Sequence, residues 1–220
     1  TTGCRNTVVG FQAGLDNTTG CENAFFGRLA GCENTTGRNN TGIGSSSFNS
    51  NTTGNNNVAI GHSSLESNTT ADDGIAIGYV ALAQNTTGAM NVAVGNYSLD
   101  ANTTGHSNSA MGVSSLSANT TGDGNVAIGL SSLQANTTGS YSVAIGEGAL
   151  KSATTGGDNT AVGRNAAQNL TTGTNNFVFG SGADAVKNIT SDNHQIVIGN
   201  QEKMTLHMVL QNMDLKHKRY

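Results

Sequence analysis

Asn57-Val58-Ala59-Ile60-Gly61-His62-Ser63-Ser64-Leu65-Glu66-Ser67-Asn68-Thr69-Thr70 is one unit of a pattern that runs through most of the chain. Aligning on the glycine that closes the apolar triplet gives Gly10, Gly27, Gly44, Gly61, Gly78, Gly95, Gly112, Gly129, Gly146, Gly163 and Gly180, each 17 residues after the last. The glycine of the Thr-Thr-Gly triplet keeps the same step from Gly3 to Gly173, and only Ala71 breaks its column. No insertion or deletion interrupts these eleven units. A chain that must return to one place on every lap cannot change its lap length freely, so the period is a geometric constraint.

Helical solenoids do not fit. Their units run to roughly 33 residues or more, and Gly, Asn and Thr at this density are poor helix formers. A coil of a parallel β-solenoid does fit, because 17 residues at about 3.3 Å each give a perimeter near 55 Å, room for two short strands and two turns. Eleven coils stacked at about 4.8 Å would make a body roughly 50 Å long.

Strand alternation places Val58 and Ile60 on one face and Ala59 on the other. The residue before each closing glycine is always large and apolar: Val9, Phe26, Ile43, Ile60, Ile77, Val94, Met111, Ile128, Ile145, Val162 and Phe179. The residue before that is Ala in every unit from Ala59 to Ala161. Leu65, Leu82, Leu99, Leu116, Leu133 and Leu150 form a further apolar column four residues after the glycine. One face is therefore expected to be bulky and apolar, the other flat and open to close approach. About three sizeable side chains buried per coil is a thin core, which argues for burial against another copy.

The totals narrow the function classes. The 220 residues include no Pro and no Trp, only 11% are charged, and the net charge is −4. Disorder would suit the low complexity but not the fixed apolar spacing. No basic patch lies in the repeats, so nucleic acid is not an expected partner. No apolar run approaches the roughly 20 residues of a membrane helix, so no membrane insertion is expected within this segment. The chain opens part-way through a unit, at Thr1-Thr2-Gly3, and is expected to be a piece of something longer or a processed product.

Polar columns supply the candidate sites. Asn6, Asn23, Asn40, Asn57, Asn91, Asn108, Asn125, Asn159 and Asn176 precede the strands, where stacked amides can form a ladder. Asn17, Asn34, Asn51, Asn68, Asn85, Asn102, Asn119 and Asn136 each open an Asn-Thr-Thr triplet, formally an N-glycosylation acceptor. Rungs about 4.8 Å apart are too close for a glycan on each, so a turn ladder is the favoured reading. Columns beginning at Thr52 and Thr53 also raise an ice-binding surface, of which only one column could face out. Cys4 and Cys21 share a column on neighbouring coils, inside the Cα window of about 4.4–6.8 Å for a disulfide, whereas Cys32 has no column partner. His62, His106, His194, His207 and His217 do not assemble into one column, and no catalytic motif, metal spacing or cofactor loop is found. The expectation is a non-enzyme with no cofactor and no metal.

After Gly180 the register gains two residues before Gly199. The chain is read as a repeat solenoid over 1–182, an irregular last coil over 183–200, and a C-terminal cap or junction over 201–220. In the last segment Met204, Leu206, Met208 and Leu210 alternate as in a half-buried strand.

The unit Asn-Val-Ala-Ile-Gly-x-x-Ser-Leu-x-x-Asn-Thr-Thr-Gly resembles the head repeats of trimeric autotransporter adhesins of the YadA type. It is more similar still to the 17-residue variant of bacteriophage tail fibres and related cell-surface proteins, over roughly Thr1 to Gly199. The resemblance implies a left-handed parallel β-roll, three chains to a rigid stalk or head, and an extracellular place on a virion or cell surface. It also implies partners of two kinds: other copies of the chain, and a host or matrix receptor or glycan. The expected role is a structural fibre or adhesin segment. The alternatives are a non-trimeric filament polymerising end to end and, less favoured, an ice-binding solenoid.

Overall fold

A computed structural model describes residues 2–182 and 193–199. It contains twelve three-residue strands: β1 (Thr7–Val9), β2 (Ala24–Phe26), β3 (Thr41–Ile43), β4 (Val58–Ile60), β5 (Ile75–Ile77), β6 (Val92–Val94), β7 (Ser109–Met111), β8 (Val126–Ile128), β9 (Val143–Ile145), β10 (Thr160–Val162), β11 (Phe177–Phe179) and β12 (Ile196–Ile198). They form one parallel sheet in sequence order. Each strand pairs with the same positions one lap on, as in Val58↔Ile75, Ala59↔Ala76 and Ile60↔Ile77. The chain is a parallel β-solenoid of about eleven turns. The extra residues before β12 do not shift its register, since Phe177, Val178 and Phe179 pair with Ile196, Val197 and Ile198. Residues 183–192 and 200–220, hence most of the irregular coil and all of the expected cap, lie outside the described residues.

Stacking extends beyond the strands. Gly61 N–H donates to Ile43 C=O at 2.8 Å on the coil before, and Leu65 N–H donates to Ala81 C=O at 3.0 Å on the coil after. Turn backbone is thus satisfied between coils, much as a sheet is, and a lap of different length would leave these buried groups unpaired.

The coil departs from the expected two strands. Only one regular strand is present per lap; the rest is a sequence of bends with three left-handed positions. The Leu column itself is one of them, with φ of 52° at Leu65 and 54° at Leu99. The others are the residue two after the closing glycine (Ser63, φ 51°) and the residue two before the strand (Asn56, φ 59°). L-residues adopt this conformation at a cost of roughly 1–2 kcal/mol each, offset here by repeated inter-coil bonding and core burial. The closing glycine takes φ between 129° and 148° from Gly10 to Gly180. A Cβ on Gly95 would lie 2.5 Å from the Gly112 carbonyl oxygen, so no other residue fits that column.

The two faces of the sheet are assigned by the fold, and not as their bulk suggests. Ala59, Ala76, Ala93, Ala110, Ala127, Ala144 and Ala161 are fully buried and pack with the Leu column into one core. The Val and Ile columns on the other face look outward. The lumen of a 17-residue coil is narrow and admits one Leu and one Ala per lap, so the bulkier column is left outside. Each coil therefore buries less than the three sizeable side chains expected.

Candidate functional site

The outward face of the sheet is the most distinctive surface of the molecule. Ile43, Ile60, Ile77, Met111, Ile128, Ile145 and Phe179 are each more than a third exposed, and Val94 and Val162 continue the column half-buried. Beside them runs a second column of Val58, Ile75, Val92, Ser109, Val126, Val143, Thr160 and Phe177. With about 4.8 Å between strands, the stripe extends for roughly 40 Å from β3 to β11 without a charged residue. Monomeric proteins rarely leave a continuous apolar strip of this length open to water.

The interior carries two amide ladders. In the first, the Asn before a strand, from Asn6 to Asn159, accepts through Oδ1 from the backbone N–H one lap on and donates through Nδ2 to a turn carbonyl: Asn40 N–H to Asn23 Oδ1 at 2.9 Å, Asn40 Nδ2 to Gly54 C=O at 2.8 Å. Gly74 and Ser142 interrupt it; the Ser142 Oγ still accepts from Asn159 N–H at 3.2 Å.

The second ladder is made of the eight Asn-Thr-Thr asparagines. From Asn34 to Asn136, Nδ2 donates to Oδ1 one lap before, at 2.7 Å for Asn51 to Asn34 and 2.8 Å for Asn102 to Asn85. It also donates to the carbonyl three residues on, as in Asn102 to Gly105 at 3.0 Å. Ala71 stretches the ladder locally, where Asn85 reaches Asn68 at 3.2 Å. Asn34, Asn51, Asn68, Asn85, Asn102, Asn119 and Asn136 are buried, and Asn17 at the end is half-buried. A glycan on any of the seven would have to displace a core hydrogen bond.

The threonines divide as strand-like alternation requires. Thr52 Oγ1 donates to Thr69 C=O at 2.9 Å, and the same bond recurs from Thr18 to Thr154. The following column, Thr53, Thr70, Thr87, Thr104, Thr121 and Thr138, is exposed. A buried Ser column, unread in the sequence, caps the glycine turn: Ser64 Oγ donates to Gly61 C=O at 3.0 Å. Exposed rings gather on the turn after the sheet, where His62 stacks on Tyr79 at 5.4 Å and Tyr79 meets Tyr97 edge-on at 5.3 Å. Burial and the neighbouring Tyr79 hold the Tyr97 hydroxyl above its ordinary value.

Cys4 and Cys21 do come together, with Sγ atoms 2.6 Å apart, and Cys32 lies elsewhere, buried. Burial raises the Cys32 thiol above its usual value. Beside the pair, Arg5 Nη1 donates to Glu22 Oε1 at 2.7 Å, which raises the Arg5 guanidinium. His62 and His106 sit in different columns, the latter accepting from Ala89 N–H at 3.2 Å, and His194 lies on the last coil. His207 and His217 are outside the described residues. Among the described residues no group of three or more His, Cys, Asp and Glu is placed to hold a metal ion. No helix among them is long and apolar enough to cross a membrane.

No protein-family model, no curated protein and no solved structure matches this chain.

Proposed function

We propose that the chain is a rigid fibre segment in which three copies pack side by side, in register, through their outward Val and Ile columns. The unbroken outward apolar column from Ile43 on β3 to Phe179 on β11 carries this reading. A partner covering it must be equally long and must repeat at the strand spacing, and a second copy of this chain meets both demands. The bundle would space or present a surface-binding element, acting on a receptor or glycan outside the cell, on a virion fibre or a cell-surface adhesin. It would work as a scaffold and not as an enzyme, because the buried polar side chains are committed to ladders that repeat from coil to coil.

A second reading is end-to-end filament growth, in which the unpaired edge of one chain's end coil would meet the next chain. Native mass over a range of concentrations separates the two. Discrete trimers that fall apart when Ile77 and Ile128 are both changed to Lys support the bundle. Monomers, or open-ended particles that survive those changes, overturn it. The Thr53 column leaves an ice-binding surface as a minor reading, removed if thermal hysteresis is absent.

A further inference from the structure

We propose that Cys4 and Cys21 are a redox-formed staple that fastens the first coil of the solenoid to the second. The two residues are 17 apart, one directly over the other, with Sγ atoms at 2.6 Å. That is about 0.5 Å longer than the roughly 2.05 Å of a disulfide, so closure needs a small side-chain movement only. The column imposes this approach. Polar side chains in it point back at the coil before: Asn55 Oδ1 accepts from Arg38 N–H at 3.0 Å, Asp123 Oδ1 from His106 N–H at 2.7 Å, and Cys21 Sγ from Cys4 N–H at 3.1 Å. Adjacent strands about 4.8 Å apart also fall inside the Cα separation a disulfide accepts.

Location gives the bridge a purpose. The coil that carries Cys4 lacks the Leu that later coils bury, since Gly14 stands in its column, and so has little core of its own. Such a coil opens more readily than those that bury a Leu. A crosslink closing a loop of this length limits the opened states and hence the fraying. Cys32 is buried and in another column, with Leu15 and Asn49 and not a cysteine one lap before and after it.

The chemistry needs an external disulfide of low molecular weight, such as oxidised glutathione. Cys21 is taken as the first nucleophile, because the Cys4 backbone N–H donates to its sulfur at 3.1 Å and favours its thiolate. The Cys21 thiolate attacks one sulfur of the external disulfide and expels a small thiolate. The Cys4 thiolate then attacks the Cys21 sulfur of the mixed disulfide and expels the second. Two cysteines are oxidised, one external disulfide is reduced to two thiols, and the protons pass through solvent.

The test uses the full chain equilibrated with oxidised or reduced glutathione, with peptide mapping by mass spectrometry and amide hydrogen exchange over residues 5–17. Wild type and Cys32→Ser are expected to yield a Cys4–Cys21 linked peptide within one chain. On oxidation their first-coil exchange slows by at least about tenfold. Cys4→Ser should show neither effect. Absence of the linked peptide, bridges to Cys32 or between chains, or a bridge that leaves first-coil exchange unchanged would each overturn the staple. These outcomes do not depend on whether the chain is a trimer.

Discussion

The ring of Phe25 occupies the space that a side chain on Gly31 would need: a Cβ there would lie 2.5 Å from the Phe25 Cζ. Phe25 stands in the column that is Ala in later coils, and Gly31 in the column that is Leu. The Phe-Gly pair and the Ala-Leu pair are two fillings of one lumen. Phe25→Ala alone should cost about 3–5 kcal/mol through the cavity, and Gly31→Leu alone about 1–3 kcal/mol through overpacking. The double variant reproduces the later coils and should recover most of both losses. A double-mutant cycle by denaturant unfolding measures this, and additive losses would show that the two sites do not share their volume.

Ladder position should govern the cost of losing an asparagine. Asn85→Ala removes the donor to Asn68 Oδ1 and the acceptor for Asn102 Nδ2 in a buried setting. Asn136 ends the ladder against Ala153, and its Oδ1 is buried without a partner. Asn85→Ala is expected to cost about 1–3 kcal/mol more than removal of an unbonded group would. Asn136→Ala should cost visibly less, and equal melting losses for the two would contradict the ladder's direction.

The same burial bears on glycosylation. When the chain is secreted from eukaryotic cells, Asn34 through Asn136 should carry no sugar in the folded product, as read by intact mass. Stoichiometric glycans at several of these positions would mean that the folded coil differs from the one described.

Met90 sits at a left-handed position, φ 60°, with more than half its surface exposed. Its column neighbours bond along the stack, Asn39 to Asn56 at 3.2 Å and Asn56 to Asp73 at 3.1 Å. Met90→Asn places a residue tolerant of this conformation next to the Asp73 carboxylate and should stabilise by about 0.5–1 kcal/mol. Met90→Val should destabilise, since a β-branched residue resists positive φ. Thermal melts of both variants check the sign.

Burial raises the Asp100 carboxyl above the ordinary carboxylate value, its own backbone contact opposes this, and its Oδ1 has no partner. A carboxyl raised on folding holds its proton more tightly in the folded chain. Its effect on stability is therefore most favourable below the unfolded value and worsens as pH rises through the folded one. Asp100→Asn should raise the melting temperature at pH 7, and the gain should fade on acidification below the ordinary carboxylate range. Melting curves that differ by the same amount at every pH would rule this out.

The outward placement of Ile60 and the inward placement of Ala59 show where reading by residue type stops. Alternation separates the two columns, and bulk alone argues for Ile inside. A few stray glycines mark what was needed to decide otherwise. Gly14, Gly31, Gly124 and Gly148 fall outside the two regular glycine columns and at left-handed positions, with φ between 54° and 66°. They signal the sharp corners that make the lumen narrow, but only once the coil has been closed in space. The nearness of Cys4 and Cys21 was legible because it depends on the column alone, and the Ser64 column was not, because its partner is the turn that the corner creates.

The period, the parallel stacking and the in-register columns were determined by the sequence alone, because a strict 17-residue recurrence leaves a coil no other way to meet its neighbours. Which face is core and which is surface was decided only by the tertiary structure. That choice depends on the cross-section of the closed coil, a non-local quantity set by three left-handed corners per lap, and it leaves the apolar stripe where another chain can reach it.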